Sequence, residues 1–239
     1  MLKPGGGHPC QLGQNETVTD SVDWVDWHAG YDDPASALTA RLRRVRMHLS
    51  QAIDQAPAGL VRLVSLCAGQ GHDVIGVLPG HARRDDVAAV LVESQPHNAE
   101  LARRHAAAAG LRRVDVRQAD ASRAEHFADA LPADILLLCG IFGNISTSDI
   151  QHTVSAAPGL CSAGATVIWT RHRRQPDLTP QVRAWFISAG FDEVAFDALD
   201  AGAWSGVGVN RLRAAGPGRL RAAGPGPWPD RPLFTFRPA

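Results

Sequence analysis

Apolar positions along the chain follow two different periods. Between residues 34 and 56, Leu38, Leu42, Val45, Leu49 and Ile53 recur at steps of three and four, which predicts a helix with one apolar face. Asp33 is placed to cap it, Pro34 suits its first position and Pro57 ends it, while Arg41, Arg43, Arg44 and Arg46 mostly fall off the apolar face. From Leu60 onward, nearly continuous apolar runs predict strands at 60–66, 87–94, 113–120, 133–140 and 165–171. Helical spacing fills the gaps: 72–79, Pro96 to Gly110, a short helix opened by Ser122–Glu125 as a capping box, one capped by Ser146 with Asp149, and one from Thr179-Pro180 to Gly190. Two late strands, 192–198 and 206–213, have no helix between them and predict an antiparallel edge hairpin, with "PLFTFRP" as a last strand. The expectation is an α/β, Rossmann-like fold with a mostly parallel sheet and helices on both faces.

Composition narrows the classes. A chain of 239 residues buries roughly 70–75% of its unfolded surface, enough for one α/β domain with room for an appendage. Twenty-four basic residues balance 24 acidic ones, so nucleic acid is disfavoured as a partner, because binding a phosphate backbone normally needs a basic excess. Lys3 is the single Lys among many Arg, Ala, Gly and Pro residues, a bias expected of a GC-rich genome that makes Arg clusters less telling. Cys10, Cys67, Cys139 and Cys161 form no CxxC pair, which argues against a disulfide framework or a zinc site, and no metal is expected. With no signal-type apolar segment and no run of ~18 apolar residues, the chain reads as cytoplasmic, without a membrane span. The organisation predicted is a disordered stretch at 1–20, a helical cap at 21–57 and a Rossmann-like domain at 58–239. "RLRAAGPG" stands twice in tandem, at 211–218 and 219–226, and reads as a duplication in a surface loop.

The candidate chemistry lies in "LVSLCAGQG", Leu63 to Gly71, where a strand meets a small-residue turn and then a helix, the geometry that brings backbone N–H groups to a ligand. A dinucleotide fingerprint needs a third glycine where Val74 stands, and a phosphate loop needs a Lys that is missing. The stretch resembles motif I of the class I S-adenosylmethionine-dependent methyltransferases, an apolar run and an acid followed by G-x-G-x-G. Here Ser65 replaces the acid and Cys67 the first glycine. Downstream, Glu93 ends the second strand 22 residues after Gly71, Asp120 ends the third, and "LLLCGIFGN" ends the fourth, in the family's order.

That resemblance implies a mostly parallel seven-stranded sheet, S-adenosylmethionine as cofactor and a small-molecule methyl acceptor. The implied cofactor contacts are Tyr31, Ser65, Cys67, Ala68, Gly69, Gln70, Gly71, Asp73, Glu93, Ser94, Asp120, Ala121, Cys139 and Gly140. Glu93 would hold the ribose hydroxyls and Asp120, beside Ala121, the adenine amino group. Candidate substrate contacts are Trp27, Phe142, Trp169 and Arg171, and candidate catalytic groups are His28, Asn144 and His172. The aromatic segment around Trp24, Trp27, His28 and Tyr31 is expected to form part of a lid. There is no [DN]-P-P-[YFW] or Pro-Cys after the fourth strand, which also argues against nucleic-acid methylation. Non-methylating use of the cofactor, by cleavage or cyclisation, and a non-catalytic scaffold are the alternatives. NAD is the runner-up cofactor, and a monomer or homodimer is expected.

Overall fold

In a computed structural model, residues 33, 36–199, 204–214 and 231–237 are described. Helix α1 (Ala37–Gln55) begins one turn later than Pro34 suggested. Its cap is Ser36, whose Oγ accepts from the Thr39 N–H at 3.0 Å, and the Asp33 carbonyl accepts from the Ser36 N–H. Leu42, Val45, Leu49, Ala52 and Ile53 are buried as the periodicity demands. The other end is held from a distance. Arg83 donates through Nη1 to the carbonyls of Ile53 and Ala56, both at 2.7 Å, and through Nη2 to that of Pro57 at 2.8 Å. The guanidinium thus adds donors at a helix C-terminus where, among the described residues, the Ile53 carbonyl otherwise accepts only from the Ala56 N–H at 3.3 Å.

The remaining elements are β1 (Val61–Leu66), α2 (Val74–Val77), β2 (Val87–Glu93), α3 (Pro96–Ala108), β3 (Val114–Gln118), β4 (Ala133–Leu138), α4 (Thr147–Leu160), β5 (Cys161–His172), α5 (Thr179–Ser188), β6 (Phe191–Leu199) and β7 (Ser205–Leu212). Seven strands form one sheet in the order β3-β2-β1-β4-β5-β7-β6. The first five are parallel, and β7 pairs antiparallel with both β5 and β6. The α/β class, the parallel core and the antiparallel edge pair are therefore as the sequence predicts. Helices α1, α2 and α3 pack with Leu63, Leu91, Leu137 and Ile168 on one face. Helices α4 and α5 pack with Leu66, Leu136, Val167 and Trp169 on the other.

Three local expectations are corrected. The Ser122–Glu125 capping box does not form: Asp120 Oδ1 already accepts from the Ser122 N–H at 2.9 Å, and the following residues make only single 3₁₀ turns without a side-chain cap. Strand β5 starts at Cys161, directly at the end of α4, because Cys161 pairs with Ala133 across an irregular step in the register. "PLFTFRP" is no strand in the described residues. It contributes one bridge, Phe236 to Ile145, and a Leu233 N–H that donates to the Ser122 carbonyl at 2.8 Å. The tandem repeat falls largely outside the described residues. No helix among the described residues is long and apolar enough to cross a membrane.

Candidate active site

Strands β1 to β5 deliver their C-terminal ends to one edge of the sheet, where open α/β sheets bind ligands. The turn after β1 is built for close backbone approach. Cys67, Gly69 and Gly71 have φ of 54°, 56° and 73°, so three of five successive residues are left-handed. Only glycine adopts this region freely, and Cys67 carries its strain in the place of a glycine. A Cβ at Gly71 would stand 2.5 Å from Ile75 Cδ1 and 3.0 Å from Leu91 Cδ2, so any side chain there would have to displace these methyl groups as well as bear the left-handed φ.

Glu93 fastens this turn. The residue is buried, its Oε2 accepts from the Gly69 N–H and its Oε1 from the Gln95 N–H, both at 2.8 Å. Its backbone extends the same junction, accepting from the Ala119 N–H at 3.0 Å. Asp120 stands exposed at the end of β3 and spends one oxygen on Ser122, while Ala121 is buried beside it and Ser94 is exposed. Burial, with the charges of Glu93 and Asp120, pushes the Cys67 thiol well up, so it stays protonated. The three residues therefore share one field.

Across the turn, Asp73 caps α2 through a 2.7 Å bond from the Val74 N–H, and burial raises its pKa against the pull of that bond and of Arg46 and Arg41. The Cys139 thiol is pushed up by burial and by Asp73. Gly140, at φ 76°, donates its N–H to Thr170 Oγ1 at 2.9 Å. Asn144 Nδ2 donates to the Gly140 carbonyl at 2.7 Å, which makes this side chain a brace of the loop after β4. Gln70 reaches Asn98 Oδ1 at 3.3 Å.

Some expected contacts sit elsewhere. Phe142 and Trp169 are 0% exposed and have no surface to offer a substrate. Trp169 stacks on Phe186 with centroids 5.9 Å apart and donates Nε1–H to Asn210 Oδ1 at 2.8 Å. Phe142 packs into the same cluster. Both side chains lie on the α4/α5 face: Trp169 because odd positions of β5 face that layer, and Phe142 because the loop after β4 turns its ring against Phe186. Ser65 is 1% exposed and lies between Leu91 and Leu137 in the sheet. Trp24, Trp27, His28 and Tyr31 lie outside the described residues.

The structure also adds residues that periodicity hid. Arg46 Nε donates to the His72 carbonyl at 2.8 Å, so the polar side of α1 braces the turn. Arg41 acts electrostatically on Asp73 and Cys139. Both are arginines that fall off the apolar face of α1; no local signal marked the turn as their target. At the end of β5, burial and the charges of Arg171, Arg174 and Arg237 hold the His172 imidazole below its usual pKa, opposed by Asp177.

Solved structures share this architecture. An O-methyltransferase family protein from Burkholderia thailandensis superposes with a TM-score of 0.59 at 17% identity, over 82% of this chain and 62% of that one. Magnesium protoporphyrin IX methyltransferase from Synechocystis PCC 6803, solved with bound S-adenosylmethionine, gives 0.60 at 10% identity, over 80% and 92%. An RNA methyltransferase from Salinibacter ruber, in complex with S-adenosylhomocysteine, gives 0.50 at 20% identity, over 76% and 96%. This chain thus spans about three fifths of the Burkholderia protein. No protein-family model matches the chain, and no curated protein matches it in sequence. At these identities the likeness establishes architecture, and the architecture is the class I S-adenosylmethionine-dependent methyltransferase fold.

Proposed function

We propose that this chain is an S-adenosylmethionine-dependent methyltransferase acting on an O, N or C atom of a small molecule. The observation that carries the reading is the Glu93 carboxylate tied to the left-handed turn at Gly69, at the ligand-binding edge of the sheet. The residues fit the cofactor. Each carboxylate oxygen of Glu93 has used one acceptor site and retains capacity for a ribose hydroxyl. The exposed Asp120 can receive an adenine amino group, and Asp73 offers a carboxyl for the methionine amine that Ser65 cannot supply. When bound, the cofactor supplies an activated methyl group on a sulfonium whose sulfur is already a good leaving group.

The chain's own task is then alignment and exclusion of water. Gly140 and the Asn144-braced loop shape the floor at β4. His172 is the candidate base, because a lowered pKa keeps the imidazole neutral and able to take a proton from an acceptor hydroxyl or amine. Helix α1, whose Arg46 braces the turn, is read as part of the site's cover. Zero net charge favours a small acceptor over RNA.

Calorimetric titration with S-adenosylmethionine and S-adenosylhomocysteine, with NADH as control, tests the cofactor. Micromolar binding of the first two alone is expected, and binding of NADH alone overturns the reading. Mass spectrometry of turnover products tests the outcome. A second reading rests on Ser65 and Cys67 in place of the motif's acid and glycine, which seat the methionine arm differently and favour cleavage or cyclisation. Methylthioadenosine instead of S-adenosylhomocysteine would establish it.

A further inference from the structure

At the end of β5 the structure buries two polar atoms that have no hydrogen-bond partner, Arg171 Nε and His172 Nδ1. Arg171 as a whole is 7% exposed, and its guanidinium is fixed by donation from Nη1 to the Phe142 carbonyl. Leaving buried polar nitrogen atoms unpaired costs stability, and Nδ1 of the neutral His172 serves as a donor in the tautomer that carries its proton there, so a ligand at this point would offset the cost.

The charges around these atoms are equally unbalanced. Arg171, Arg174 and Arg237 all act on His172, and Arg237 also acts on Arg171. The opposing acid is Asp177, which is already committed: its Oδ1 accepts from the Thr179 N–H and hydroxyl at 2.9 and 2.7 Å, and its Oδ2 lies 3.5 Å from Arg173 Nε. Arg174 and Arg237 are exposed and His172 is half-buried, so the cluster opens to solvent. It adjoins the loop after β4: the Arg237 N–H donates to the Asn144 carbonyl at 2.9 Å, and a Cβ at Gly143 would stand 3.2 Å from the His172 ring.

We propose that Arg171, His172 and Arg237 form an oxyanion site that holds a carboxylate or phosphate group of the methyl acceptor. In naming the acceptor this rests on the methyltransferase reading; the anion site itself does not. An oxyanion accepts several donors at once and gains from charge assistance, so it answers both the unpaired nitrogen atoms and the excess of guanidinium groups. A second Arg-rich corner, at Arg84 and Arg113, makes the contrast. There the guanidinium groups donate to the carbonyls of Gly110 and Asp85.

The test is calorimetric titration of the full chain with inorganic phosphate and with acetate at low ionic strength, for the native protein and the variants R237Q, R171Q and R112Q. The native protein should bind at least one anion saturably, and the stronger arm identifies phosphate or carboxylate. R237Q, an exposed substitution, should weaken that binding about tenfold, the loss of one charge-assisted bond, while R112Q at the opposite edge leaves it unchanged. R171Q should weaken it at least as much; if R171Q does not fold, R237Q alone decides. No saturable binding by the native protein, or equal loss in R112Q and R237Q, overturns the proposal. Titrating the same samples with S-adenosylhomocysteine separates the two ideas. Nucleoside binding without anion binding removes the oxyanion site only, whereas anion binding without nucleoside binding removes the methyltransferase reading only.

Discussion

Glu93 and Gly69 stand 24 residues apart, yet the carboxylate of one closes on the backbone N–H of the other at 2.8 Å. That bond joins the end of β2 to the left-handed turn after β1 and makes Glu93 a structural clasp. Under the proposed function, affinity and stability are coupled at this position.

Glu93→Gln turns one acceptor oxygen into a donor that faces a backbone N–H. The variant should lose ~1–3 kcal/mol of stability, the cost of a buried donor left unmet, and bind S-adenosylmethionine at least tenfold more weakly. Urea denaturation and calorimetry on one preparation read both. Native affinity in a folded variant would remove Glu93 from the site.

Cys67 predicts a contrast between two substitutions. At φ 54° a glycine relieves the left-handed penalty of about 1–2 kcal/mol, less the modest packing lost with the thiol. Cys67→Gly should therefore raise the denaturation midpoint slightly. Cys67→Val, with a β-branched side chain in the same conformation, should lower it well below native. A Cys67→Gly midpoint below the native one would mean that thiol packing outweighs backbone strain.

Asp73 links stability to pH. Burial raises its pKa in the folded state above the ordinary 3.8, so folding favours the protonated form. That contribution is complete below the unfolded value and is lost as pH rises through the folded one. Asp73→Asn keeps an oxygen to accept from Val74 and removes the charge. Its stability relative to the native protein should be near zero or negative at pH 3 and grow more favourable toward pH 7, while cofactor affinity falls. A stability difference that is flat with pH in paired denaturation curves would contradict the assignment.

Two glycines separate packing from propensity. Gly208 lies opposite Trp169 in the β5–β7 ladder, and a Cβ there would overlap the indole. Gly208→Ala should cost about 1–3 kcal/mol or more, as overpacking of a filled core does. Gly159, in the last turn of α4, would place a Cβ in open space, so Gly159→Ala should gain roughly 0.5–1 kcal/mol. Thermal midpoints of the two variants should move in opposite directions.

The elements themselves were written in local pattern. Steps of three and four in Leu42, Val45, Leu49 and Ile53 required a helix with that face inward, whatever it packed against. Continuous apolar runs at β1, β2 and β4 required strands covered on both faces, and Ser146 capped α4 as its spacing to Asp149 suggested. That the turn, Glu93 and Asp120 stand together at one edge of the sheet was legible because strand ends fix where such residues emerge. Partners distant in sequence were not. Nothing near Arg83 announces that it will satisfy the C-terminus of α1, and nothing in Ser122–Glu125 reveals that Asp120 takes the Ser122 N–H first. Whether Phe142 and Trp169 line a pocket or fill the core depended on which side of β5 received α5, and the charge around Arg171 and His172 depended on Arg237 being brought to the loop after β4 by its bond to the Asn144 carbonyl. A hydrophobic period states that a side chain must leave water; only the packed structure decides which neighbour receives it, because that choice is made by long-range geometry and not by adjacent residues.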